Sequence, residues 1–328
     1  MGRRGDKHVG STLTLDAQMR GYRIMRRDGL LPSISLTVVG ALWGLYWIPV
    51  RVLAREGLGP AWLAFIASLV VLLASVPLAA WQPSALRRLS GATLLNGFLV
   101  SAAFTLYAVS LNLTSVVNAI LLFYLTPVWS VALGAAFYGE PLRAQRATAL
   151  FLGLAGLVAV LGLGQGLPSV GRSGDWLALV SGVVWAYGTV RSHHGEDPGI
   201  VAGVLSFNLG NAASAAAVLL LLPAAAAGAI PGMDVIWGTM PFVTVLSLLM
   251  ILPSTCVVVW AAHVLPAPRV GILLMTEIVA GAVSAALLSG EPFGPWQAAG
   301  SALIIAAGVL EVTAREPAAG TSAEEAAS

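Results

Sequence analysis

The chain has 328 residues, of which 58% are hydrophobic and only 10% are charged, and its formal net charge is +2. Soluble domains carry about 25% charged residues, so a chain this apolar cannot cover a water-facing surface. The composition excludes a soluble globular protein and makes the lipid bilayer the expected solvent. The single cysteine, Cys256, excludes an intrachain disulfide.

The chain begins with a polar segment that carries seven basic residues before residue 28. A basic arm that binds nucleic acid is one interpretation of this segment. A cytoplasmic tail at the membrane surface is the favoured interpretation, because Lys and Arg collect on the cytoplasmic side. We predict a disordered cytoplasmic tail over residues 1–30 and no nucleic-acid partner.

Ten apolar stretches follow the tail, and short breaks rich in Pro, Gly and charge separate them. A helix needs about 20 apolar residues to cross a bilayer, and backbone polar groups inside lipid must pair within the segment. The stretches lie at roughly 34–54, 61–81, 91–111, 115–138, 146–164, 175–192, 199–222, 236–259, 266–289 and 295–313. The sequence therefore predicts an all-α integral membrane protein with ten transmembrane helices and a second disordered tail over 315–328.

The distribution of positive charge predicts the orientation. If the spans alternate from a cytoplasmic N-terminus, the outside holds Arg51, Arg55 and Arg172, and the inside holds the other basic residues. This is the bias expected of loops on the cytoplasmic side. We therefore predict a multi-pass protein of the cytoplasmic membrane with both termini in the cytoplasm.

The two halves of the chain resemble each other. Pro127 and Glu140 in "LTPVWSVALGAAFYGEPL" are 13 positions apart, as are Ile278 and Glu291 in "MTEIVAGAVSAALLSGEPF". Each half holds five predicted helices, an odd number, so the second half enters from the opposite side. We predict two inverted five-helix repeats, over residues 31–164 and 165–314, an arrangement that recurs in secondary transporters.

Four stretches occur along the chain in the order "GALWGLYWIPVRVL", "LLFYLTPVWSVALGAAFYGEPL", "GDWLALVSGVVWAYGTV" and "GEPFGPWQAAGSALIIAAGVL". Through these stretches the chain resembles the ten-helix EamA-domain family of the drug/metabolite transporter superfamily. The resemblance implies a bundle of inverted halves that exports or exchanges small organic molecules. Ile278 stands where the family often has a proline, so the sequence alone does not predict a kink there.

Glu277 is the acid that the sequence places nearest the middle of a predicted helix. A charge at that depth costs about 2.5–3.5 kcal/mol on insertion scales, so the side chain should face the bundle interior or a wet cavity. One interpretation is a carboxylate that couples transport to protons or binds a substrate ammonium group. The alternative is a structural carboxyl group that bonds to a neighbouring helix.

Three amides and a phenol are further candidates for substrate binding. Asn208 and Asn211 are three positions apart and therefore share a helix face. Amides could recognise a polar substrate or simply join two helices. Asn118 and Tyr124 in the fourth predicted helix are weaker candidates of the same kind.

Trp43 and Trp47 follow each other at helical spacing in the first predicted span, with Arg51 one turn further. Their rings could line a cavity and bind a cation. Tryptophan also anchors helices at the membrane interface, which is the alternative for these residues. Arg51 could attract anions to an entrance or extend to the headgroups.

No motif indicates an enzyme or a cofactor. The sequence contains no HExxH, GxSxG or phosphate-binding loop, and the cluster of His193, His194, Glu196 and Asp197 is a weak indication of a metal. Glu140 and Glu291 at helix ends are interpreted as structural or gating residues. We predict no cofactor and no metal, with partners limited to a small-molecule substrate, the bilayer, protons as the coupling ion and, as an open alternative, a second copy in a homodimer.

The sequence favours a secondary active transporter, in the exporting direction, that moves a small organic metabolite or drug by alternating access. Two alternatives stay open: a membrane-embedded enzyme, and a non-transporting receptor or assembly subunit. An enzyme would need several cooperating polar residues, and a receptor would be expected to have larger extramembrane regions than these loops provide.

Overall fold

The computed structural model describes residues 29–162, 171–221, 229–290 and 293–313. The predicted tails, apart from residues 29 and 30, lie outside the described residues, and so do Glu291 and the predicted boundary between the halves near residue 164.

The described part of the chain is built from α-helices, some of which continue through a π-helical turn. The first half holds α1 (Leu30–Gly44), α2 (Trp47–Arg55), α3 (Pro60–Trp81), the short α4 (Pro83–Arg87), α5 (Gly91–Leu113), α6 (Val116–Phe123), α7 (Thr126–Tyr138) and α8 (Ala144–Leu157), which a π turn extends over Val158–Gly162. The second half holds α9 (Ser173–His194), α10 (Ile200–Leu221), α11 (Met233–Leu246), a π turn over Ser247–Ile251, α12 (Leu252–Val264), α13 (Ala267–Leu274), α14 (Thr276–Ser289) and α15 (Pro295–Thr313).

Nine helical stretches in the described ranges are long and apolar enough to cross a membrane. This finding confirms the all-helical membrane fold that the composition predicts. The tenth predicted span, α9, is 22 residues long but carries Asp175 near its start and Arg191 near its end. It packs against α5, α6, α7 and α12, so much of its surface faces protein rather than lipid and need not be apolar. The count of ten spans stays a prediction.

The helices pair across the two halves. α1 packs against α14, α9 packs against α7, and α8 packs against α15. The last pair approaches through glycines: a Cβ on Gly156 would lie 2.6 Å from the carbonyl oxygen of Gly300, and the converse distance is the same. Small residues allow this close approach inside membranes. The pair α9–α7 is the pair α1–α14 with the halves exchanged, and α8 and α15 are the last spans of their halves. This symmetry favours the repeated arrangement of the halves, and their inversion stays a prediction.

Three spans are interrupted within the bundle, at Leu45–Tyr46, at Tyr124–Leu125 and at Met275. The third interruption occurs without a proline. The amide of Ile278 bonds to the carbonyl of Met275 at 3.0 Å, and the amide of Met275 bonds to that of Ile272 at 3.2 Å. Both hydrogen bonds join residues three positions apart, which is the tighter pattern of a 3₁₀ turn. The helix is therefore broken here, although the sequence has Ile278 and no proline at this point.

Candidate functional site

A cavity of about 340 Å³ lies among helices of both halves. Its wall is mainly apolar, and α1, α3, α5, α10 and α14 all contribute to it. The aromatic side chains in this wall are Trp43, Tyr46, Phe104, Tyr107, Phe123 and Phe207. Among the described residues of the wall, Glu277 is the one acid and Asn211 is the one amide.

Glu277 stands at the second position of α14, directly after the break at Met275. Its carboxylate accepts a hydrogen bond of 2.5 Å from the phenol of Tyr124, which lies at the break between α6 and α7. The phenol also lies 3.5 Å from the carbonyl oxygen of Leu274. The interruptions in the two spans therefore place an acid of the second half beside a phenol of the first half.

Phe104 is the centre of an aromatic cluster between the cavity and the interior of the bundle. Its ring meets those of Trp43, Trp185 and Phe207 edge-on, at centroid distances of 5.1, 4.6 and 6.1 Å. Edge-to-face contacts of this kind add about 0.5–1.5 kcal/mol each beyond the burial of area. The cluster therefore gives the cavity one rigid wall.

The two asparagines of α10 have different surroundings. Asn211 faces the cavity. Asn208 is buried beside it, where its amide donates to the carbonyl of Val204 at 2.8 Å. The side-chain oxygen of Asn208 has no hydrogen-bond partner among the described residues. Only Asn211 is therefore positioned to contact a molecule in the cavity.

Trp47 lies outside the wall of the cavity, although Trp43 is part of it. The indole of Trp47 donates to the hydroxyl of Ser284 on α14 at 3.0 Å, and the guanidinium of Arg51 lies 4.6 Å above its ring. The break at Leu45–Tyr46 separates the two tryptophans, so the helical spacing that relates them in the sequence does not give them one face. Tyr46 lines the cavity instead.

Asn118 lies in a polar cluster away from the cavity. Its amide donates to Oδ1 of Asp175 at 3.0 Å, and the hydroxyl of Thr114 donates to the same oxygen. Oδ2 of Asp175 accepts from the backbone amides of Gly171 and Arg172. Asp175 is buried. Its hydrogen bonds join the end of α5 and the start of α6 to the start of α9. These contacts favour a structural role for Asn118.

Glu140 joins α7 to α9. Its Oε1 lies 3.1 Å from Nε2 of His194, whose ring stacks on that of Tyr138 at a centroid distance of 3.7 Å. Glu140 therefore links the ends of one helix from each half, in line with a structural or gating residue. Glu291, its predicted counterpart, lies outside the described residues.

Several residues of the cavity wall were not predicted from the sequence. Tyr46, Phe104, Tyr107 and Phe207 are aromatic residues in apolar stretches, and nothing in a single sequence separates a cavity wall from the packed core. Glu277 was identified because it is a charged residue at membrane depth. These aromatic residues carry no charge and so give no such signal.

The comparisons with known proteins agree with this architecture. Residues 31–162 match the model of the EamA-like transporter family. No curated protein matches the chain significantly. A crystal structure described only as "Crystal structure of protein" is similar over 86% of this chain and 95% of its own, with a TM-score of 0.67 and 20% identity. At that identity the likeness shows the fold alone. Residues 31–162 therefore resemble the EamA-like transporter family, and the described part of the chain has the fold of a helical, multi-pass membrane protein.

Proposed function

We propose that the protein is a secondary active transporter that exports a small organic molecule across the cytoplasmic membrane. The observation that carries the proposal is the position of Glu277, an acid at the edge of a cavity that helices of both halves enclose. An ionisable residue at such a depth is expensive to place in lipid and commonly marks a substrate or ion pathway. The exporting direction rests on the family resemblance.

The chemistry of the cavity favours a substrate with an apolar body. Six aromatic side chains offer flat, polarisable surface, and the faces of Trp and Tyr rings attract cations. A carboxylate at the edge of this surface can pair with an ammonium group, and Asn211 can donate or accept a hydrogen bond. We therefore propose an organic amine or cation with an aromatic or aliphatic body as the substrate class.

Glu277 can serve substrate and proton in turn. When the carboxylate is ionised it binds a cationic substrate, and when it is protonated it releases that substrate and keeps the proton. A proton and a substrate that compete for one carboxylate are exchanged across the membrane if the site opens to each side alternately. Tyr124 supplies a donor that can satisfy the carboxylate between these events.

The helix breaks support alternating access. Tyr46, Tyr124 and Glu277 all stand at or next to an interruption, where the backbone can change direction without unfolding a whole helix. Non-helical backbone is tolerated at membrane depth where it lies in protein or lines a cavity. Rocking of the halves about these points would expose the cavity first to one side and then to the other.

The experiment is a flux measurement on purified protein in sealed liposomes with an imposed pH gradient. A dye inside the liposomes reports proton movement on addition of each compound from a panel of apolar amines, neutral analogues and acidic analogues. We expect one or more amines to release protons in a saturable manner, with protein-free liposomes as the control. If compounds of the panel bind the protein but none of them crosses the membrane, the result would contradict a transporter and favour a receptor.

A further inference from the structure

A second cavity of about 420 Å³ lies at the end of the bundle where α5 and α10 begin and α9 ends. Its wall is more polar than that of the cavity at Glu277. The basic and hydrogen-bonding side chains in this wall include Arg87, Arg88, Asn96, Arg191, Ser192 and His263. Phe207 lines both cavities and thus stands between them.

The charge of this wall is positive. Three arginines line it against two acids, Glu196 and Asp197. Asp197 is already engaged in the loop, because its Oδ1 accepts the backbone amide of Gly199 at 2.8 Å. Neither Arg88 nor Arg191 forms an ion pair with an acid in the part of the chain that the structure describes.

Arg191 is held in a fixed position. Its Nε donates to Oδ1 of Asn96 at 3.0 Å, and Nδ2 of Asn96 donates in turn to the hydroxyl of Ser192 at 2.8 Å. The guanidinium carbon lies 5.8 Å from the ring centroid of Tyr187. These contacts orient the guanidinium of Arg191 through its Nε and the ring of Tyr187. The two terminal nitrogens of Arg191 can therefore bind a ligand. A guanidinium oriented in advance loses less entropy when it binds a carboxylate or phosphate group.

Arg88 lies against the start of α10. A Cβ on Gly199 would be 3.1 Å from Nη1 of Arg88, and the backbone of Gly199 has a φ of +79°. Glycine therefore both permits the loop conformation and leaves room for the guanidinium. The first amides of α10, and those of α5 after the cap at Ser90, also point toward this end of the bundle. Helix N-termini carry partial positive charge and favour anions.

We propose that this second cavity binds the phosphate or carboxylate group of a small anion, with Arg191 and Arg88 as its principal ligands. Arginine forks bind such groups through paired charge-assisted hydrogen bonds. The site is separate from Glu277 and does not require transport, so it extends the proposed function rather than restating it. A soluble anion and a lipid headgroup share this chemistry, and the test distinguishes them.

The test measures thermal unfolding of the full-length protein by tryptophan fluorescence. In one arm the protein is in neutral detergent and is titrated with inorganic phosphate or with citrate, against chloride at equal ionic strength. In the other arm it is in nanodiscs with or without phosphatidylglycerol. The variants are Arg88→Gln and Arg191→Gln, and the matched control is Arg55→Gln, an exposed arginine in the last turn of α2.

A saturable rise in the unfolding temperature with phosphate or citrate supports a soluble anion, and a rise only with phosphatidylglycerol supports a headgroup. In the detergent arm we expect Arg88→Gln to raise the half-saturating concentration about tenfold, the effect of losing one strong charge-assisted bond, and in the nanodisc arm we expect it to reduce the rise. Arg55→Gln should leave both unchanged. Stabilisation that is equal in wild type, Arg88→Gln and Arg191→Gln, or absent in both arms, would overturn the proposal. Arg88 is exposed, so its variant tests the site even if Arg191→Gln fails to fold.

Discussion

The phenol of Tyr124 donates a hydrogen bond of 2.5 Å to the carboxylate of Glu277 and so connects a break in one half of the chain to a break in the other. The two residues are 153 positions apart in the sequence. A change in the charge of Glu277 must therefore alter a contact between the halves. This relationship is the physical basis for expecting protonation and conformational change to be linked.

Replacement of Tyr124 by Phe removes the donor and keeps the ring. A hydrogen bond to a charged group contributes about 1.5–3 kcal/mol, so we expect the transport rate at low substrate concentration to fall at least about tenfold. The measurement is substrate-dependent flux in liposomes. Tyr138→Phe is the control, because Tyr138 is an exposed residue at the end of α7, away from Glu277. Equal rates in the two variants would show that the bond to Glu277 has no part in transport.

Gly44 permits the close contact of α1 with α14 beside Glu277. A Cβ at this position would lie 2.7 Å from the Cβ of Ala280 and equally close to the amide nitrogen of Gly281. Overpacking of this kind costs about 1–3 kcal/mol, so we expect Gly44→Ala to lower the unfolding temperature and reduce transport.

The matched control for Gly44→Ala is Gly238→Ala, since a Cβ on Gly238 meets nothing within 4 Å. Tryptophan fluorescence during heating compares the two variants. An unfolding temperature for Gly44→Ala as high as that of the control would show that the two helices can separate freely at this point.

Trp43 and Trp47 should differ in the property that each controls. Because Trp43 lines the cavity, we expect Trp43→Leu to raise the half-saturating substrate concentration up to about tenfold through loss of ring contacts. Trp47 bonds to Ser284 outside the wall, so Trp47→Leu should lower thermal stability and leave half-saturation unchanged. Flux titrations and melting curves on both variants measure the two effects. A changed half-saturation in Trp47→Leu and an unchanged one in Trp43→Leu would contradict the cavity described above.

Asp175 should matter for stability rather than for transport. Its buried carboxylate accepts four hydrogen bonds, and its removal takes the acceptor from four part-buried donors. We expect Asp175→Ala to destabilise the protein by on the order of 3 kcal/mol. Asp234→Ala, at an exposed acid in the first turn of α11, is the control for thermal unfolding. A destabilisation no larger than that of the control would show that the cluster around Asn118 is dispensable.

The sequence predicts the helical membrane fold well, because long apolar runs have few alternatives in lipid. It also identifies Glu277, since an acid within an apolar stretch is conspicuous. It does not predict that Tyr124 is the partner, because that contact depends on how two distant helices pack. The helical spacing of Trp43 and Trp47 suggested one face, but a break at Leu45–Tyr46 divides them. Pro49 lies four residues after Leu45 and cannot donate to its carbonyl, which accounts for the break.

Asn118 shows the other way in which sequence reasoning is incomplete. An amide in an apolar helix is as suitable for a substrate as for a structural acid, and only the position of Asp175 separates the two. The aromatic residues around Phe104 carry no charge, so their place in the wall of a cavity depends entirely on tertiary packing.

The measurement that tests the central claim most directly is pH-driven flux by Glu277→Gln, with wild-type protein in parallel liposomes and melting curves for both. Glutamine keeps the shape and a hydrogen-bonding group but cannot exchange a proton. We predict that the variant folds as wild type does and gives no substrate-dependent proton movement. Proton movement by Glu277→Gln at the wild-type rate would contradict the assignment of Glu277 as the coupling residue.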